Sequence, residues 1–242
     1  FAGANSFMRR RYTKDLRDAE LAVTGIPFDQ AVTNRPGTRL GPRAIRAGSV
    51  QLAELKHFPF GFDPFDSLSV VDYGDTFIDP HHPAGVFDCI ESHADGILDS
   101  GALMLSLGGD HSVNIPCIDA FDGHDAFHLV QIDAHLDFVN ERHGVRYGHG
   151  NPMRRAAEKP YVTGLSQVGI RNVSSTSRDG YEDARAMGSD IVSVRQFRKM
   201  GVKAMLARIP EGVRYYVTID IDGFDPSIAA GTGTPSHGGF LY

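Results

Sequence analysis

Apolar and polar positions along this chain alternate between two regimes. Short runs dominated by Val, Ile, Leu and aromatic residues fall at 21–26, 68–73, 103–107, 127–132, 166–170, 190–194 and 214–221, and each predicts a strand. Several are almost continuously apolar rather than strictly alternating, the pattern of strands buried on both faces. Between them, 42–53, 84–100, 113–121, 181–187 and 194–209 predict helices, with Pro42 suited to a first helical turn. This alternation builds βαβ units and predicts a mainly parallel sheet in a three-layer α/β/α architecture. The Gly/Pro-rich loop 34–42 runs straight into a helix, and no repeat or low-complexity linker divides the chain, so 1–242 reads as a single α/β domain.

Composition narrows the function. With 242 residues there is enough chain for a large core, and 41% hydrophobic against 22% charged residues excludes a disordered tail. A net charge of −6 argues against nucleic acid or acidic lipid as a partner. Cys89 and Cys117 lie far apart without a CxxC pair, which removes a disulfide framework and a thiolate zinc site. No apolar run reaches the length of a membrane span, so a cytoplasmic protein is expected. The chain starts without Met and stops in apolar sequence at Tyr242, so a longer native polypeptide, incomplete here at its C-terminus, is also expected.

The polar residues gather at strand ends. Gly108-Gly109-Asp110-His111-Ser112 follows the run ending at 107; Asp133-Ala134-His135-Leu136-Asp137 follows the run ending at 132; Asp220-Ile221-Asp222 closes the last run. Carboxyl ends of parallel strands are where open α/β sheets build their sites. Residues two apart on extended backbone share a face, so Asp133, His135 and Asp137 can converge, as can Asp220 and Asp222. Four carboxylates gathered without a cation would repel one another, and two divalent ions would balance their charge. Oxygen and nitrogen ligands without thiolate favour Mn, with Zn, Fe, Co or Ni compatible on ligand type. Each motif alone also reads as ordinary loop chemistry, such as a turn-forming Asp or an Asp-capped helix. Their joint placement at three strand ends is what points to a site.

These same segments resemble the ureohydrolases: arginase, agmatinase, guanidinobutyrase and relatives. The likeness extends to Asp220-Ile221-Asp222-Gly223-Phe224-Asp225-Pro226, to Gly231–Pro235, and near the N-terminus to Gly25–Asp29 and Gly41–Arg46. It covers nearly the whole chain and leans toward the agmatinase and guanidinobutyrase branch. The resemblance implies an arginase-like fold and a binuclear manganese site. One ion would take His111, Asp133, Asp137 and Asp220, the other Asp133, His135, Asp220 and Asp222, with Asp133 and Asp220 bridging. His149, in Tyr147-Gly148-His149-Gly150, matches the family's active-site histidine, whereas His124, His128 and His143 read as surface or core residues.

The implied reaction hydrolyses a small guanidine compound to urea and an amine. Two metals sharing a water lower its pKa and position it, and Asp137 or His149 would return a proton to the leaving amine. The family's C-terminal continuation carries a Glu that binds the guanidinium, which no residue here matches. Substrate choice is expected in the loop 138–148, where Arg142 or Arg146 could pair with a substrate carboxylate. The resemblance also implies a homo-oligomer, trimer or hexamer. Three alternatives stay open: a non-catalytic subunit of a mixed oligomer, a hydrolase of smaller guanidines or biguanides, and a histone-deacetylase-like amidohydrolase. The intact six-residue ligand set argues against the first and the last.

Overall fold

In a computed structural model the described residues are 4–53, 56–171 and 176–242. They cluster into two compact units. Unit 1 comprises Phe1–Gln30 and Gly37–Ala120; unit 2 comprises Ala31–Pro36 and Phe121–Tyr242.

Unit 1 holds β1 (Arg11–Tyr12), β2 (Leu21–Gly25), β3 (Val70–Asp75) and β4 (Leu103–Leu107), with α1 (Gly41–Ser49), α2 (Val86–Leu98) and α3 (Asn114–Asp119). Its sheet runs β1-β3-β2-β4 and every pairing is parallel. Ala22 and Val71 pack with Ile97 and Ala102 in a buried cluster flanked by Leu16, Tyr73 and Met104. The expected strand 68–73 begins two residues later, at Val70, and continues through Asp75. Two carboxylates of this strand are held by one basic side chain. Arg46 of α1 donates to Asp72 through Nε at 2.8 Å and Nη2 at 2.9 Å, and to Asp75 through Nη1 at 2.5 Å. Both carboxylates of this strand are thus paired by one guanidinium.

Unit 2 holds β5 (Phe127–Ile132), β6 (Val162–Ile170), β7 (Ser189–Ser193) and β8 (Arg214–Ile219), with α4 (Pro152–Ala157), α5 (Arg178–Ala186) and α6 (Val194–Leu206). The sheet order is β7-β6-β5-β8, again parallel throughout. Val168, Val192 and Met205 form a buried cluster with Phe197, Met200 and Phe240 packed against it. The capping box expected of a good helix start is present in α6: Ser193 Oγ accepts from the Gln196 N–H while the Gln196 side chain accepts from the Ser193 N–H. Gly201, at φ +77°, interrupts the helical backbone within α6.

β6 starts four residues before the expected strand 166–170, at Val162, and Gly164 within it leaves room for the His128 ring. A Cβ at position 164 would stand 3.3 Å from the imidazole, whose Nε2 pairs with Ser166 Oγ at 2.9 Å. β8 ends at Ile219 rather than 221, since the Asp220 side chain accepts from the Asp222 N–H and opens a short 3₁₀ turn. Two elements lay outside the sequence expectations. β1 is two exposed residues with no apolar pattern, and α4 is short, though Asn151 followed by Pro152 is a helix-start signal. The expected α/β class with a parallel sheet is what the protein has.

Candidate functional site

The polar clusters at strand ends are positioned by close backbone approaches. In unit 1, the Asp110 N–H donates to the Phe28 carbonyl at 2.7 Å. Gly109 makes this approach feasible, since a Cβ there would lie 1.8 Å from the Phe28 oxygen. Asp110 then accepts from the Ser112 N–H at 2.9 Å, starting the short turn on which His111 sits, buried, just past β4.

In unit 2, Asp133 and His135 follow β5, and Asp220 and Asp222 follow β8, which pairs with β5 in parallel register up to Ile132 and Ile219. The two acidic segments therefore leave adjacent strands side by side. Gly169 on β6, at φ +103°, makes room for the Asp133 carbonyl, which a Cβ would meet at 2.7 Å. Asp133, His135 and Asp222 each offer a ligand atom within 4.8 Å of the others, and Asp220 comes equally near Asp133. Asp133 and Asp222 are fully or almost fully buried, at 0% and 1% exposure.

The hydrogen bonds around them are directional. Asp222 accepts from the Ala134 N–H (3.2 Å) on one oxygen and from Thr234 Oγ1 (3.0 Å) on the other. Asp133 accepts from the His135 N–H at 2.7 Å. His135 Nδ1 lies 3.1 Å from Asp222 Oδ2 and 3.6 Å from Asp133 Oδ1. Burial works to lower the His135 imidazole, but hydrogen bonds with Asp133 and Asp222 outweigh it and hold its pKa well above the ordinary value. Burial works to raise Asp222, and the hydrogen bond from His135 instead holds it down. Two buried carboxylates thus draw positive charge into their midst, and the donor set of two oxygens and one imidazole suits a divalent cation of the Mn-to-Zn series.

The other expected site residues have separate settings. Asp137 is buried and does not join the Asp133–His135–Asp222 group. Its backbone stands at φ +50°, a conformation that Asp adopts at some cost. The Asp137 carbonyl accepts from the Met153 and Arg154 N–H groups at 3.1 and 3.4 Å, so the start of α4 fixes that backbone. His149 is half-buried, and its Nε2 meets Thr33 Oγ1 at 3.0 Å. Arg146 is occupied by Glu158 at 3.3 Å, and Arg142 and Val145 exchange both backbone hydrogen bonds across a tight turn at His143 and Gly144.

Sequence reasoning missed Thr33, Thr234 and Arg171. The Arg171 guanidinium donates to the carbonyls of Asp222 (2.5 Å), Gly223 (3.1 Å) and Ser236 (2.6 Å), bracing the segment that carries Asp222. An arginine one residue past a buried strand was the available signal.

Fold and group together define a parallel α/β protein with a candidate cation site at the carboxyl ends of its strands. The family model of the arginases matches residues 19–242. The agmatinase of Chromobacterium violaceum is 44% identical over 99% of this chain and 74% of its own length. The guanidinobutyrase of Pseudomonas aeruginosa is 35% identical over 99% of this chain and 77% of its own. The crystal structure of a hypothetical agmatinase from Burkholderia thailandensis superimposes with a TM-score of 0.89 at 41% identity, covering 99% of this chain and 75% of that one. The chain belongs to the arginase family.

Proposed function

We propose that this chain is an agmatinase-like ureohydrolase that uses two divalent metal ions, with Mn favoured and Ni as the next candidate, to hydrolyse a small guanidine compound to urea and an amine. The observation that carries the reading is the buried Asp133–His135–Asp222 group beside Asp220, in a chain whose relatives include an agmatinase and a guanidinobutyrase. The proposed metal-binding residues are Asp133, His135, Asp137, Asp220 and Asp222, with His111 joining them on the strength of the motif resemblance.

When bound, the metal pair would supply Lewis-acid activation of water for attack on the guanidinium carbon, which is a poor electrophile. Asp133 and Asp222 hold their oxygens in fixed orientation, each accepting a backbone N–H. His135 would give up its Nδ1 proton on loading, so metal binding and proton release are linked. His149 is proposed to exchange a proton with the leaving amine; its ring is oriented by the contact of Nε2 with Thr33 Oγ1. Asp137 is proposed to accept the proton of the attacking water.

For substrate choice, the pairing of Arg146 with Glu158 favours an agmatine-like molecule over a guanidino acid, because it neutralises one of the two loop cations available to a carboxylate. A homo-oligomer, trimer or hexamer, a cytoplasmic location and a single ureohydrolase-like domain over 1–242 complete the proposal. No helix among the described residues is long and apolar enough to cross a membrane. The deciding experiment is a urea-release screen over agmatine, 4-guanidinobutyrate and 3-guanidinopropionate with Mn or Ni supplied, run beside elemental analysis of metal per chain. Release from agmatine with about two metals per chain is expected. A metal-loaded protein that releases urea from none of these would overturn the reading.

A further inference from the structure

Unit 2 buries two glutamines in its sheet, at 0% exposure each. Gln131 lies on β5 two residues before Asp133, and so on the same face of the strand. Gln167 lies directly opposite it on β6. The Gln131 Nε2 donates to Asp133 Oδ2 at 2.7 Å and reaches the His135 carbonyl at 3.4 Å. The Gln167 Nε2 donates to Gln131 Oε1 at 2.6 Å and to the Leu136 carbonyl at 2.7 Å.

We propose that Gln131 and Gln167 are positioning residues that orient the Asp133 carboxylate for metal through a directional amide relay; the inference rests on the ligand role proposed above for Asp133. The direction of the relay is forced at its far end. The Leu136 carbonyl can only accept, so Gln167 must present its Nε2 there. The same nitrogen then meets Gln131, which must answer with Oε1, and this turns the Gln131 Nε2 toward Asp133. Gln167 Oε1 is buried and finds no hydrogen-bond partner among the described residues. That acceptor is given up in favour of the donor that Asp133 receives, since the flipped amide would set oxygen against oxygen at two contacts. Asp133 is consequently held at both oxygens, by the His135 N–H on Oδ1 and by Gln131 on Oδ2. Outer groups of this kind fix the ligand's rotamer and moderate its basicity.

The test is calorimetric titration of MnCl₂ into the metal-stripped full chain, for wild type, Gln131→Met, Gln167→Met and Asp133→Ala. Methionine keeps the side-chain volume and removes both donors and acceptor. Gln131→Met is expected to weaken Mn binding by about 10–100-fold, and Gln167→Met by less because it acts through Gln131. At saturating Mn, KM for the guanidine substrate should stay near wild type. A merely structural role would lower the melting temperature of the stripped protein and leave Mn affinity unchanged, and that outcome overturns the proposal. If the methionine variants do not fold, Gln131→Glu and Gln167→Glu decide. The first sets an acceptor against Asp133, the second forces Gln131 to flip, and wild-type Mn affinity in both would equally overturn it. Should Asp133→Ala bind Mn as tightly as wild type, the ligand assignment itself fails, a result distinct from failure of the relay alone.

Discussion

Each unit buries carboxylate charge beside a basic partner, and the two arrangements are solved differently. In unit 1, Asp72 takes two nitrogens of Arg46 and the N–H groups of Phe7 and Gly74, so every direction around it is filled by the chain. In unit 2, Asp133 and Asp222 share a single imidazole, which they pull strongly toward its charged form. A guanidinium stays charged at any physiological pH and presents a fixed fork, so the first group is a permanent internal ion pair. An imidazole can surrender its proton and offer a nitrogen lone pair to a cation. Burying charge is common to both; the replaceable partner marks the second as a site.

Removing one charged member from each group tests that distinction most severely. Asp133→Ala and Asp220→Ala are expected to abolish urea release and metal binding together, as elemental analysis and a urea assay would register. Arg46→Met should do the opposite: destabilise by about 3–5 kcal/mol, because it strands the buried Asp72 carboxylate, with metal per folded chain unchanged. If Arg46→Met were stable but metal-free, the division between a structural and a functional group would be wrong.

Metal-dependent stabilisation sharpens the same contrast. At Mn concentrations about 100-fold above Kd, ligand linkage stabilises the loaded protein by about 2.7 kcal/mol. Asp222→Asn should lose most of that gain in a thermal melt with and without Mn. Asp72→Asn should start from a lower melting temperature and keep the full increment. Equal increments in both variants would remove Asp222 from the ligand set.

His149 supplies an intermediate case, a histidine held by a hydroxyl rather than by carboxylates. His149→Ala is expected to lower turnover by about 10²–10⁴-fold, the range for a lost proton-transfer group, with metal content intact. Loss of metal on that substitution would show that His149 belongs to the ligand shell instead.

Much of this was legible in the sequence because it is local. Seven apolar runs became seven strands, and Asp133 and His135 come together as their spacing suggests, whereas Asp137 departs from extended backbone at φ +50° and Asp222 sits in a 3₁₀ turn. The groups that tune the site come from elsewhere in the chain and left no such trace. Thr33 reaches His149 across 116 positions, and Gln167 reaches Gln131 across 36. Asp72 and Asp75 on β3 are likewise paired with a residue from elsewhere, Arg46, which lies 26 and 29 positions away. Periodicity registers what a residue does to its own backbone, and these contacts are made between segments.

The smallest effect concerns a second imidazole, His93 of unit 1, which responds to its surroundings in the opposite sense to His135. Burial, helped by Lys14 and opposed by Asp75, lowers its pKa from 6.5 to about 4. The geometry also fixes its tautomer. Thr24 Oγ1 commits its only hydrogen to the Gly74 carbonyl at 2.9 Å, so His93 Nε2, 2.6 Å away, must be the donor to that oxygen. Protonation would therefore have to occur at Nδ1. A histidine whose folded pKa lies below its unfolded value binds fewer protons in the native state across the interval between them. Stability then rises with pH from about 4 to 6.5, is complete above 6.5, and is lost as pH falls through that window. Because His93 is only partly buried, water screens some of the effect, and about 1–2 kcal/mol is expected at pH 4 relative to pH 7. Urea unfolding of the metal-stripped protein at pH 4.5 and 7, for wild type and His93→Phe, isolates the contribution, since the remaining titrating groups cancel in the difference. A variant with the same pH dependence as wild type would show that His93 does not titrate on unfolding, and the opposition between the two imidazoles would fall.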